Sequence, residues 1–293
     1  MKEYSHCPIC NNSNFSFFKE CKDYTASNDS FSIVQCTNCQ FTFTNPIPIE
    51  SEIGKYYDSE NYVSHSNTSK GITNKLYQII RNYTLRKKVK LLQSLNPNNK
   101  LLDIGCGTGE FLNQSKINGF DVLGIEPSEK ARTQAKNNFH LEVKEESAIE
   151  KLGDQTFDFI TMWHVLEHVY PLNERVQQMH RLLKDNGQII IAVPNRESYD
   201  AHYYDKYWAA YDVPRHLYHF TPNTIAQLFE NHGFTTHKVI PMKFDSFYVS
   251  MLSEKYKNKR SNLVSAFFHG LQSNLKSKNQ NKYSSQIYVF TKK

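Results

Sequence analysis

The stretch Leu101-Leu102-Asp103-Ile104-Gly105-Cys106-Gly107-Thr108-Gly109-Glu110, LLDIGCGTGE, decides the fold. Its apolar half reads as a buried strand. The glycine-rich half reads as a turn into a helix that opens at Glu110. Glycines at such a turn let a ligand lie close to the backbone at the carboxyl end of a sheet. The spacing is G-x-G-x-G. That is neither the G-x-G-x-x-G of a dinucleotide site nor a P-loop, since no Gly-Lys-Ser/Thr follows. The next strand, DVLGIEP, ends on Glu126, 21 residues after Gly105. A carboxylate there is placed to accept the two hydroxyls of a ribose.

Outward from this unit, strands and helices alternate. A helix is expected from Ser128, a short third strand at HLEV, and a fourth at FDFITMWHV. The helix LNERVQQMHRLLK, opening after Pro171, leads to a fifth strand, GQIIIAVP. TPNTIAQLFENHG reads as a helix with a threonine cap and a terminal glycine. FTTHKVIPMK and SSQIYVFTKK are the sixth and seventh strands. The alternation predicts an α/β fold with a doubly wound, seven-stranded, mostly parallel sheet. This domain spans 96–293, with insertions at about 199–220 and 243–283. Residues 46–95 form a connector followed by a helix, in which Leu76, Ile79, Ile80, Tyr83, Leu91, Leu92 and Leu95 recur at helical spacing.

The first 45 residues carry CPIC and CTNC, separated by 25 residues. Each C-x-x-C turns two sulfurs toward one point, and two such knuckles supply the four thiolates that a structural Zn²⁺ takes. Cys7, Cys10, Cys36 and Cys39 are therefore the expected metal ligands of a zinc ribbon over 1–45. Asn11 and Gln40 stand where a glycine commonly follows a knuckle. Cys21 reads as a packing cysteine. With no apolar leader in MKEYSHCPIC, a reduced cytoplasmic setting is expected. No apolar run approaches the roughly 18 residues of a membrane span.

The net charge of +6 is uneven. Residues 71–100 hold seven Lys/Arg and no acid, and 253–293 hold nine against Glu254 alone. The middle, 101–198, is net negative. Such basic segments suit RNA, a phosphorylated small molecule or a membrane surface, or are simply solvated helix faces.

LLDIGCGTGEFL, GIEPS, FDFITMWHVLEHV and LLKDNGQIIIAVPN together resemble the motif series of class I S-adenosylmethionine-dependent methyltransferases, over about residues 96–242. HVLEHV and DVPRHLYHFTP extend the resemblance to bacterial members with an amino-terminal zinc ribbon. The resemblance implies a Rossmann-like sheet whose last strand is antiparallel. It implies that Asp103 and the Gly105–Cys106–Gly107 backbone border the methionine part of the cofactor, and that Glu126 holds the ribose. Ile125, Pro127 and the segment around Ser147 would flank the adenine, and Trp163 and His164 would stand where cofactor and acceptor meet.

His164-Val165-Leu166-Glu167-His168 also matches the zinc-peptidase pattern H-x-x-E-H. A strand feeds straight into it here, whereas a peptidase needs both histidines on one long helix. Related ubiquinone-pathway O-methyltransferases show E-x-x-E-H at this place, linked to a divalent metal. This chain has His164 for the first glutamate.

The aromatic segment 199–220 is read as a lid over an acceptor pocket. Arg215 would pair with an anionic acceptor group, and His216 or His164 would act as base. The competing reading makes the aromatics core and pairs Arg215 with Asp212. Tyr62 and His65 are candidates to close over the cofactor. The expected function is methyl transfer to O, N or C of a small-molecule or glycan- or lipid-precursor acceptor. The alternatives are a zinc-ribbon RNA methyltransferase and a non-catalytic cofactor-binding module. Against RNA, residues 1–45 hold three Lys against four Asp/Glu. The sequence carries no sign of oligomeric state.

Overall fold

The structure, a computed structural model, describes residues 1–57, 72–260, 262–278 and 281–293, so Tyr62 and His65 lie outside the described residues. Strands β1 (Phe15–Lys22), β2 (Ser30–Cys36) and β3 (Thr42–Thr44) pair antiparallel at the N-terminus. Helix α1 (Ile72–Leu95) leads into the alternating part: β4 (Lys100–Ile104), α2 (Glu110–Ile117), β5 (Asp121–Ile125), α3 (Glu129–Phe139), β6 (Val143–Lys144), β7 (Phe157–Trp163), α4 (Leu172–Leu182) and β8 (Leu183–Pro194). Then come α5 (Tyr199–Tyr204), β9 (Tyr218–His219), α6 (Pro222–Glu230), β10 (Phe234–Pro241), α7 (Asp245–Asn258), α8 (Leu263–Ser277) and β11 (Ser285–Lys292).

Seven strands form one sheet in the order β10-β11-β8-β7-β4-β5-β6. β11 runs antiparallel to both β10 and β8, and the pairs from β8 to β6 are parallel. This is the sheet expected, with its last strand reversed. Its strands are apolar throughout because both faces are covered. Leu102, Ile104, Ile160, Met162, Ile189 and Ile191 face one core, with Val176 and Met179 of α4 and Phe229 of α6. Leu101, Phe159, Ile190 and Val289 face the other, with Val89 and Leu92 of α1 and Phe111 of α2. Burying each such side chain stabilises by about 1.5–3 kcal/mol. The two-residue period of a strand then puts Asp103, Thr161 and Trp163 on the α1 side.

Some elements differ from the sequence reading. The third strand shrinks to Val143–Lys144, because His140 turns left-handed at the end of α3. α4 stops at Leu182, and β8 begins at once, absorbing the expected turn as an irregularity in its pairing with β7. In α1, Ile79 and Tyr83 stay exposed, and the buried positions among the described residues are Val89 and Leu92; the Leu76 side chain lies outside the described residues. The 243–283 insertion is the helical hairpin α7–α8. Thr221 caps α6 as read, in a capping box with Thr224.

The N-terminal sheet does not stand alone. β9, from the 199–220 segment, pairs with β3 and completes a four-stranded sheet, β1-β2-β3-β9. Cys36, Phe41 and Phe43 share a core with Tyr218, Phe220 and α4. Cys21 is buried with Tyr204, Trp208 and Tyr211. The aromatics of 199–220 are thus core between ribbon and sheet, which corrects the expectation of an open pocket lined by them.

Arg215 is likewise not an open anion anchor. Its side chain is 0% exposed. Nη1 donates to the Tyr56 carbonyl at 2.9 Å, Nη2 to Asp23 Oδ1 at 3.0 Å, and Nε and Nη2 to the two Asp212 oxygens at 3.0 and 2.5 Å. Those partners hold both carboxylates below the usual range despite burial. Truncating one member of a buried ion network strands the others. Arg215→Met is expected to cost about 3–5 kcal/mol in urea unfolding, and a loss below about 1 kcal/mol would contradict this role.

Candidate active site

Gly105 and Gly107 sit at φ 74° and 56°, where a side chain is strained. A Cβ on Gly105 would meet Val165 Cγ2 at 2.5 Å, whereas beside Gly107 the Cβ direction is open. The turn is strapped to β5, since the N–H groups of Gly105 and Cys106 both donate to the Ile125 carbonyl, at 2.7 and 3.1 Å. Glu126 completes the clasp. It accepts from Gly107 N through Oε2 and from Ser128 N through Oε1, each at 2.9 Å. Pro127 follows it at the surface, and Ser147 lies exposed on the 3-10 turn Glu146–Lys151.

Asp103 is buried at the end of β4 and accepts the Thr161 hydroxyl at 2.6 Å. Desolvation lifts its carboxyl to about 7, against the pull of Thr161 and the nearby Lys88. Lys88, from α1, was not read from the sequence; its only signal there is a place one helical turn before Leu92. Its Nζ lies 4.0 Å from the centre of the Trp163 ring, and desolvation lowers it to about 8, opposed by Asp103 and Asp245. Trp163 packs edge-on to Phe111, and its indole Nε1 is buried with no hydrogen-bond partner among the described residues.

His164 follows β7 with a left-handed φ of 57°. Its Nε2 lies 2.9 Å from Asp245 Oδ2, and its Nδ1 lies 3.5 Å from Glu167 Oε1, close enough for an ion pair but outside hydrogen-bond geometry. Burial opposes charge on this ring, but hydrogen bonding to Asp245 and the Glu167 carboxylate outweigh it and hold the imidazole at about 9. Asp245, in the first turn of α7, was also missed, because nothing in a single sequence links it to position 164.

His216, just before β9, lies near the same Glu167 carboxylate. It is 9% exposed, its Nδ1 is 2.8 Å from the Ala210 carbonyl, and its ring meets that of His168 edge-on at 4.5 Å. His168 Nδ1 is 3.0 Å from the Arg215 carbonyl and 2.9 Å from Tyr57 Oη. One ligand atom from each of Glu167, His168 and His216 lies within 4.8 Å of the others. A buried ring locked to a backbone carbonyl is not an acceptor-facing base, so the reading of His216 as base is corrected to a packing partner of the loop after β7. That loop carries H-x-x-E-H in a 3-10 turn, not a long helix, which excludes the peptidase arrangement.

The N-terminal cysteines meet as the spacing requires. Cys7 and Cys39 sulfurs lie 3.5 Å apart, as do those of Cys10 and Cys36, and all four are within 4.8 Å with no disulfide. The two knuckles are built alike. Asn11 and Gln40 take left-handed φ of 58° and 63° and donate their N–H groups to the Cys7 and Cys36 carbonyls.

A family model described as "Methyltransferase domain" matches residues 77–239. The chain belongs to this methyltransferase family. Curated relatives include the ubiquinone biosynthesis O-methyltransferases of Photobacterium profundum (33% identical over 34% of this chain and 45% of the relative) and Pelagibacter ubique (32%, 40% and 50%). The chain spans about half the length of these relatives. Solved S-adenosylmethionine-dependent methyltransferases from Thermotoga maritima and Archaeoglobus fulgidus share the fold. Each has a TM-score of 0.50, at 20% and 22% identity, covering 74% and 73% of this chain and 96% and 94% of those chains.

The residues fit S-adenosylmethionine, the cofactor that the sequence resemblance implies. The open side of Gly107, the clasped Glu126 carboxylate, the unpartnered Trp163 indole and the buried Asp103 suit a nucleoside bearing a cationic methionine. A cationic amino group bound beside Asp103 would favour its ionised form. Below about pH 7 that ionisation must be imposed, so the affinity of the methyltransferase for S-adenosylmethionine is expected to fall by up to tenfold per pH unit. Without the cofactor the sign reverses: a raised carboxyl favours the fold in acid, and that contribution is lost as pH rises through about 7. Calorimetric titration of the parent and of Asp103→Asn on both sides of neutrality checks this. The variant is expected to bind weakly with no slope, and a sloping variant would remove Asp103 as the titrating group.

Proposed function

We propose that the methyltransferase moves the methyl group of S-adenosylmethionine to a hydroxyl oxygen of a small-molecule acceptor, and that His164 faces this acceptor. The observation that carries the reading is the His164–Asp245 pair at the end of β7, beside the glycine turn. The names of the curated relatives support oxygen as the methylated atom.

Bound S-adenosylmethionine supplies an already activated methyl group, so the protein's work is placement and proton handling. Glu126 would accept the ribose hydroxyls. Ile125, Pro127 and Ser147 would border the adenine. Asp103 would hold the amino group of the methionine part along the Gly105–Gly107 backbone, and Lys88 would pair with its carboxylate. His164 would shed its own proton as pH rises through about 9, and in that neutral form would take the hydroxyl proton as the new bond forms. Asp245 orients its ring, and both flanking carboxylates stabilise the imidazolium that results. His164 is the better placed of the two candidate histidines because its side chain is 35% exposed.

We also propose a structural Zn²⁺ on Cys7, Cys10, Cys36 and Cys39. A tetrahedron with Zn–S bonds near 2.3 Å has its sulfurs about 3.8 Å apart, close to the separations found. A second cation reading has its own observation. Both oxygens of the buried Glu167 carboxylate lack a hydrogen-bond partner, among the described residues. His168 and His216 each turn Nδ1 to a backbone carbonyl, which leaves Nε2 as the ligand atom. A divalent ion there would neutralise Glu167 and pin the loop after β7 to the lid segment.

Transfer of labelled methyl to small hydroxylated aromatics and to lysate fractions tests the main reading. His164→Ala is expected to lower kcat by a factor of 10² or more while binding of S-adenosylhomocysteine stays unchanged. Label confined to RNA would overturn it. For the second cation, Mn²⁺ titration followed by electron paramagnetic resonance is expected to show one bound ion that His216→Ala releases, and no bound Mn²⁺ would remove that site.

A further inference from the structure

Helix α8 is built inside out. Its small residues Ala266, Gly270, Ser273 and Ser277 are buried. A Cβ on Gly270 would come within 3.0 Å of the Phe247 Cα, and Ser273 donates to Asp200 at 2.6 Å, so the helix backbone lies tight against α5 and α7. Its large residues point the other way. Leu263, Val264, Phe267, Phe268, Leu271 and Leu275 are 39–81% exposed. At 100° per residue these six share one arc of the helix, and the four small residues share another. The apolar surface continues through Phe247, stacked on Phe267 at 5.4 Å, and through Phe244, which meets Tyr83 of α1 at 5.8 Å beside exposed Ile79. A contiguous surface of this kind marks a contact site.

Its charge says what it contacts. Lys255, Lys257, Lys259, Arg260, Lys276 and Lys278 are all exposed around the hairpin. The acids of the two helices are committed elsewhere. Glu254 is 2% exposed and accepts from Tyr204, Ser265 and Asn258, and Asp245 holds His164. A two-fold contact with a second copy would set the same lysines against each other. An anionic bilayer accepts both features, taking the apolar side chains into the acyl boundary and the lysines among the headgroups. No helix among the described residues is long and apolar enough to cross a membrane, so contact would be at one surface.

We propose that the α7–α8 hairpin seats the protein on an anionic lipid surface. This stands independently of the acceptor's identity. The test is co-sedimentation of the full chain with vesicles of phosphatidylcholine alone and of phosphatidylcholine with an equal part of phosphatidylglycerol. Binding to the mixed vesicles is expected, weakened by salt, with little binding to phosphatidylcholine alone. Val264→Gln/Phe268→Gln/Leu275→Gln is expected to lower partitioning about tenfold or more, with melting curve and S-adenosylhomocysteine affinity unchanged. Lys255→Glu/Lys259→Glu probes the charge separately, and is expected to reduce binding to mixed vesicles alone. Equal pelleting of the triple variant, or no preference for the mixed vesicles, would overturn the proposal. A concentration-dependent dimer lost in the triple variant, without vesicle binding, would give the face to a second copy.

Discussion

Arg215 stands where three segments of the chain meet. Asp23 comes from the turn between β1 and β2, Tyr56 from the connector before α1, and Asp212 from the segment that follows β8. A guanidinium has no neutral form to retreat to at ordinary pH, so once buried it must be surrounded by acceptors. That requirement fixes the segment 199–220 against the N-terminal sheet. The Arg215 carbonyl then receives His168, and Leu217 N–H donates to the Glu167 carbonyl at 2.8 Å. The loop after β7, with His164 at its start, is therefore held from the side of the ribbon as well as from the sheet.

The same packing explains why the ribbon belongs to the methyltransferase body. β9 lends it a fourth strand, and its aromatic residues share one core with α4 and α6. A metal on the four cysteines would rigidify one end of that core, far in sequence from the glycine turn but continuous with the lid. On the opposite face of the sheet, α1 brings Lys88 to Trp163, and α7 brings Asp245 to His164. The end proposed for the cofactor is thus local to β4, β5 and their turns, whereas the end proposed for the acceptor is assembled from distant helices.

Charge follows the same division. Asp103 is costly to ionise where it lies, and Lys88 is costly to protonate, and each moderates the other. A buried pair so close to neutral balance suits a site that takes a zwitterionic methionine and releases it again. His164, bracketed by two carboxylates, leans the other way, and only its neutral form, favoured as pH rises through about 9, is free to act as a base.

The sequence by itself determined the sheet, its order of elements, the glycine turn, the Glu126 carboxylate and the paired cysteine knuckles. These are local patterns. A buried strand must be apolar, a left-handed turn favours glycine, and two sulfurs two residues apart must converge. What only tertiary structure decided was the fate of single polar residues. Arg215 and His216 read equally well as site or core, because a side chain's role depends on whether acceptors from other segments enclose it. Lys88 and Asp245 gave no signal, because what matters about them is a neighbour on another element: Asp103 and Trp163 for Lys88, and His164 for Asp245. The outward face of α8 was hidden for the same reason. Helical periodicity shows that an apolar stripe exists, but which side of the helix is covered is settled by what packs against it.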